Sequence, residues 1–214
     1  MGQKVHPKGL RLGVINNWQS RWFFSNKTQY RQAVAQDSRI REELMKKYAI
    51  ASVVGVDIER QINKVLVVIH AVKPGVIIGK GGKGLEDVKR IIVSHTKKAG
   101  GGKSKEQKVD IKIEPVKKPY TNAYYVAQMI SDKLVRGFPH RSMVHKAMDN
   151  VISAGAKGVK IQLGGRINGA EISRREKYFQ GTVPTSTIRE DVDFATYPAL
   201  TKSGYIGVKV WICR

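Results

Sequence analysis

Between Gly79 and Gly84 the chain reads GKGGKG, and glycines at 79, 81 and 84 match G-x-G-x-x-G. That spacing lets a tight turn approach a pyrophosphate, with helix N–H groups aimed at the anion. The shorter span Gly79-Lys80-Gly81-Gly82 is G-x-x-G, a turn whose glycines carry no Cβ to keep a polyanion backbone away. Lys80 within it and Lys83 directly after it add charge. A third phosphate-like pattern, Gly100-Gly101-Gly102-Lys103-Ser104, resembles the end of a P-loop. For catalysis the best cluster is Glu190, Asp191 and Asp193, but no histidine or cysteine has a matching context. Those acids are read as partners for the abundant arginines, and no metal spacing appears.

The elements that must position the glycines decide between the readings. A dinucleotide site needs a strand running directly into the first glycine and an acid about 20 residues further on. Here Pro74-Gly75 breaks the preceding strand, and the downstream region is a basic loop whose one acid is Glu106. The P-loop pattern fails too, because Lys97 stands where its first glycine belongs and a helix, not a strand, precedes it. The G-x-x-G reading needs two short helices meeting at the turn, and the flanks supply them. Gly75–Ile78 suits one helical turn, and Leu85, Val88, Ile92 and His95 mark one face of a helix running to about Lys98.

Around that turn the pattern reads helix–strand–strand–helix–turn–helix–strand. Helices are predicted over Thr28–Ala35 and from Ser38 to about Tyr48, and a hairpin over Ser52–Glu59 and Lys64–Val72. A further strand is predicted over Lys108–Val116, and Pro115 and Pro119 mark a boundary. Beyond it come two helices, with stripes at Ala123/Val126/Ala127/Ile130/Leu134 and Val144/Ala147/Met148/Val151/Ile152. Strand-like runs follow near Val159–Leu163, Tyr178–Val183, Ile188–Phe194 and Tyr205–Ile212. Residues 1–27 read as an extended basic arm anchored by Trp18, Trp22, Phe23 and Phe24.

Composition points to a polyanion partner. The 214 residues carry 39 Lys and Arg against 17 Asp and Glu, a formal charge of +22, with 41% hydrophobic residues for a core. The excess is +5 in residues 1–38, +8 in 39–115 and +9 in 116–214, so the basic character is not confined to a tail. Such self-repulsion opposes compaction unless a phosphate backbone offsets it. Cys213 stands alone, which fits a reducing compartment. No apolar signal segment or 18-residue apolar run is present. A cytoplasmic protein is the expectation, with no cofactor, no metal and no membrane partner.

With the turn in place, the order of elements fits the prokaryotic (type II) KH fold, in which G-x-x-G joins the last two helices. GQKVHPKGLRLG at 2–13, KPGVIIGKGG at 73–82, GAKGVKIQLGGRINGAEISR at 155–174 and IGVKVWI at 206–212 then carry a family. The chain resembles the bacterial small ribosomal subunit protein three family over nearly its whole length. The resemblance implies an α+β chain: a basic arm and first helix over 1–38, a type II KH domain over 39–116, and a domain over 117–214. In that last domain two helices pack on a mostly antiparallel sheet.

The resemblance also implies a non-enzymatic role. Members bind 16S-type ribosomal RNA in the head of the small subunit, as one copy beside small-subunit proteins ten and fourteen. They touch messenger RNA where it enters and are associated with its unwinding. Residues carried over are the turn (Gly79, Lys80, Gly81, Gly82, Lys83) and, in the arm, Lys4, His6, Lys8 and Arg11, expected to order against RNA or another ribosomal protein. At the messenger channel they are Arg136, Arg141, His145 and Lys146. The family commonly has two adjacent arginines there, then a basic residue three positions on. This sequence has Ser142 in place of the second and His145 in place of the basic residue. Arg166, Arg174 and Arg175 add a further basic surface. The alternative is a free KH-domain regulator acting outside the ribosome.

Overall fold

The structure, a computed structural model, describes residues 4–61, 64–97 and 108–214. In chain order its elements are α1 (Pro7–Leu10), β1 (Ser20–Arg21), α2 (Lys27–Lys47), β2 (Val53–Arg60), β3 (Lys64–Ala71), α3 (Pro74–Ile78), α4 (Lys83–Lys97) and β4 (Lys108–Pro115). They continue with α5 (Ala123–Val135), α6 (His140–Ser153), β5 (Gly158–Gly165), β6 (Arg174–Gly181), β7 (Val192–Thr201) and β8 (Gly204–Cys213). The chain divides into two compact units, Trp18–Lys117 and a second made of residues 4–17 with Lys118–Arg214.

In the first unit the sheet order is β1-β2-β3-β4. β2 and β3 form the predicted antiparallel hairpin, Val56 opposite Ile69 and Ile58 opposite Val67. β4 runs parallel to β3, so the chain must cross over, and α3 and α4 are that crossover. Ile40 and Leu44 of α2, Val56 and Ile58 of β2, Val67 and Ile69 of β3, Ile77 of α3, and Val88 and Ile92 of α4 form one buried cluster. One continuous helix, α2, replaces the two expected. The gap between the two expected helices, Gln36-Asp37, holds a buried anchor: Asp37 is 1% exposed and pairs with Arg60. Trp22 Nε1 donates to it at 2.7 Å, and Ser20 Oγ at 3.3 Å.

On the same sheet His70 of β3 sits 3.3 Å from Asp57 and 3.5 Å from Glu114, with Lys112 nearby. The hydrogen bond to Asp57 raises its pKa above the ordinary 6.5, against the opposing effects of burial and Lys112. A raised histidine contributes stability that is fully present below about 6.5 and is lost as pH climbs through the folded value. The first unit should therefore melt at a higher temperature near pH 5.5 than near pH 8. His70→Gln should flatten that difference in a thermal titration, and an unchanged slope would exclude His70 as its source.

The second unit has a four-stranded antiparallel sheet, ordered β6-β5-β8-β7. α5 and α6 cover one face through Val126, Ile130, Val144 and Val151, packed on Val159, Ile161, Leu163, Val208 and Val210. The helical stripes fall where their periodicity placed them. β7 does not: it runs from Val192, not Ile188, and extends through Pro198 to Thr201. It is an edge strand, where a proline's missing N–H costs no ladder bond.

Candidate nucleic-acid interface

The glycine turn follows α3 directly, so no strand enters it and the dinucleotide geometry is absent. Gly79 has φ 68° and ψ 179°, a region open essentially to glycine alone. Gly81 (φ 63°, ψ 21°) and Gly82 (φ 79°) are left-handed as well. A Cβ built at Gly81 or Gly82 would meet no atom within 4 Å. The turn is therefore open to an incoming backbone, and Lys73, Lys80 and Lys83 around it are solvent-exposed. Gly84 differs: its Cβ would lie 2.1 Å from the Ile77 carbonyl oxygen, so it is where α4 crosses α3. The Gly100–Ser104 pattern lies outside the described residues.

At the other candidate surface, Arg136 ends α5 and Arg141, His145 and Lys146 lie on α6, all exposed. Arg141 and His145 are four residues apart and share a face. His145 meets the Tyr178 ring edge-on at 5.7 Å between centroids. α6 begins at Pro139 without a side-chain cap and has no acid in its first turn. Cations at a helix N-terminus oppose the dipole, and free N–H groups there attract anions, so this end favours a phosphate. His140 is not part of that surface; it is 5% exposed, 3.1 Å from Asn168 Oδ1 and 2.9 Å from Glu176 Oε2. The hydrogen bond from Tyr178 and the neighbouring His140 and Arg174 lower the Glu176 pKa, although burial opposes them.

The three remaining arginines separate by partner. Arg166 donates to Ala170 O (2.8 Å) and Ser203 O (3.4 Å), tying down its own loop. Arg174 pairs with Glu176 at 3.0 Å. Arg175 makes no ion pair among the described residues.

The arm departs from expectation. It packs against its own chain. Arg11 is 0% exposed, and its guanidinium donates to the carbonyls of Glu190 (2.6 Å), Pro7 (3.0 Å), Pro184 (3.1 Å), Thr185 (3.2 Å) and Thr187 (2.8 Å). Lys8 pairs with Asp193 at 2.9 Å. His6 accepts from Gly9 N at 3.4 Å and packs edge-on against Phe194. Burial, aided by the Lys8 charge, lowers the His6 pKa, which suits a ring nitrogen acting as an acceptor. Lys4 and His6 are both exposed, and Lys4 has no ion pair among the described residues. The cause is a demand for positive charge: Asp193 is 4% exposed, and the 184–190 segment turns its carbonyls inward. Asp193 also accepts from Ala123 N (2.9 Å) and Arg214 (3.0 Å). Asp191 lies 3.6 Å from Arg214, and Glu190 2.9 Å from Lys157, so the acidic cluster is spent on structure.

A helix on a hairpin, two helices meeting at an open glycine turn, and a parallel closing strand make the first unit a type II KH domain. A two-helix α+β domain completes the chain. The KH domain family model matches residues 39–121, and that of ribosomal protein S3, C-terminal domain, matches 130–212. Small ribosomal subunit protein uS3 of Hydrogenovibrio crunogenus is 43% identical across 100% of this chain and 90% of its own length. The same protein is 43% identical in Pseudomonas aeruginosa and 40% in Clostridium novyi, covering 90% and 93% of those chains. The chain belongs to the uS3 family of small ribosomal subunit proteins. It is accordingly a structural, RNA-binding ribosomal protein and not an enzyme.

Proposed function

We propose that the chain binds 16S-type ribosomal RNA in the subunit head through the glycine turn, and meets messenger RNA through Arg136, Arg141, His145 and Lys146. The observation that carries the first part is the open, left-handed Gly81-Gly82 turn flanked by exposed Lys80 and Lys83. On this reading the protein works in the cytoplasm, as one copy per small subunit, beside small-subunit proteins ten and fourteen. Arginine and lysine carry fixed charges suited to phosphate, so the messenger contact rests mainly on Arg141 and Lys146. Of the arm's cations, Lys4 is the one left to reach RNA, because Lys8 is paired and Arg11 is buried.

Lys80→Asp with Gly81→Asp should lower affinity for a head-domain RNA fragment at least about tenfold, because aspartate tolerates φ > 0 and sets negative charge beside phosphate. Filter binding across salt reads the same contact, since each single-strand phosphate contacted contributes about −0.7 to the log–log slope. Unchanged affinity and slope would remove the turn from the binding surface. A free regulator would sediment apart from small subunits in a lysate gradient; cosedimentation with them excludes that alternative.

A further inference from the structure

The second sheet carries α5 and α6 on one face, and its other face, which the arm's His6 touches at Phe194, is a patterned surface. Strand register places Phe194 (β7) opposite Trp211 (β8), Trp211 opposite Lys160 (β5), and Lys160 opposite Phe179 (β6). Phe194 and Trp211 lie 5.0 Å apart and tilted by 39°, and the Lys160 ammonium sits 5.3 Å over the Trp211 ring. Phe179 closes this row, 77% exposed. Two residues along each strand, on the same face, Lys209 lies opposite Gln162 and Gln162 opposite Lys177. A further two along, Gly207 and Gly164 leave bare backbone beside Arg175. Those glycines, with Lys209 and Arg175, floor and wall a depression of about 690 Å³.

The face bears no acid: on β5–β8 it shows Lys160, Lys177, Lys209 and Arg175, and none of them pairs with a carboxylate among the described residues. Lysine on an edge strand alone would read as protection against strand pairing. That account does not explain an aromatic ring left three-quarters exposed on the same edge, between cations. An open antiparallel sheet with rings in one row and phosphate partners in the next is suited to a splayed strand of RNA. A duplex would offer phosphates but no free base face for Phe179. We propose that this face is a second RNA-binding surface, which takes an unpaired RNA segment with a base stacked on Phe179 and phosphates held by Lys177, Lys209 and Arg175. The proposal rests on the chain being an RNA binder but not on the glycine turn.

The test uses the full chain and a short oligouridine beside a duplex of equal length, by fluorescence anisotropy. Phe179→Ala should weaken oligouridine binding at least about fivefold and leave the duplex unchanged. Lys177→Glu with Lys209→Glu should weaken it further and reduce the salt slope by about 1.4, the value for two lost phosphates. Both effects should persist in the Lys80→Asp/Gly81→Asp background. Sheet variants that act while the turn variant does not would overturn the turn reading and leave this one standing. Oligouridine affinity indifferent to both sheet variants overturns this proposal, and so does binding already abolished by the turn variant. A photo-crosslinker at position 179 in assembled subunits gives a separate readout. An RNA adduct supports the proposal, and a protein adduct alone overturns it in favour of an acidic protein neighbour.

Discussion

Arg11→Met is expected to destabilise the second unit by about 3 kcal/mol or more, because several buried carbonyls each lose a charge-assisted hydrogen bond of about 1.5–3 kcal/mol. Methionine keeps much of the length and none of the donors. The carbonyls of Pro7, Pro184, Thr185, Thr187 and Glu190 would lose their partner at a site that is 0% exposed. The guanidinium has no carboxylate beside it among the described residues, so five carbonyl dipoles alone hold this buried cation. Arg11→Lys should recover only part of the loss, because one ammonium cannot aim donors along the planar fork that these acceptors surround. The two units need not unfold together, so hydrogen exchange resolved by segment is the better measurement. Protection should fall in β7, β8 and α5 while β2, β3 and β4 keep theirs. Undiminished protection around β7 would refute the clamp.

That clamp shows where the sequence stopped being legible. Helix periodicity located α5 and α6, and β-branched alternation located β2, β3 and β4, because each of those signals is local. The function of Arg11 is not local: four of its five carbonyl partners lie more than 170 residues away, and nothing in GLRLG distinguishes a carbonyl clamp from a phosphate contact. The same blindness leaves Asp37 between two expected helices, when its burial against Arg60 and Trp22 fixes the single α2 to the sheet. β7 was misplaced for a related reason. Ile188 invites a strand, yet the 184–190 segment is committed to Arg11, and Pro198 conceals a strand that tolerates it at the sheet edge. At the site, the glycine spacing identified the turn, since a Cβ-free, positive-φ turn depends on residue type. The open sheet face was not readable, because its rows form only when β6, β5, β8 and β7 are in register.

The glycine turn itself yields the second large effect, at Gly84 and not in the loop. Gly84→Ala would set a Cβ 2.1 Å from the Ile77 oxygen and 2.9 Å from that of Ile78. Both obstacles are backbone, so neither can rotate away, and α3 must lift from α4. That motion unseats Ile77, which is fully buried against a cluster shared with Val88 and Ile92. A cost of about 3 kcal/mol or more to the first unit follows, at the upper end for overpacking. Gly81→Ala meets open space and bears only the left-handed penalty, about 1–2 kcal/mol. The order of the two is the informative quantity. If Gly84 served a ligand, its alanine variant would lose RNA affinity with little change in urea midpoint. The geometry predicts the reverse order of symptoms: stability falls first, and affinity falls because the turn between the two helices is no longer held. Equal urea midpoints for Gly84→Ala and the parent chain would show that α3 and α4 do not cross as closely as 2.1 Å requires.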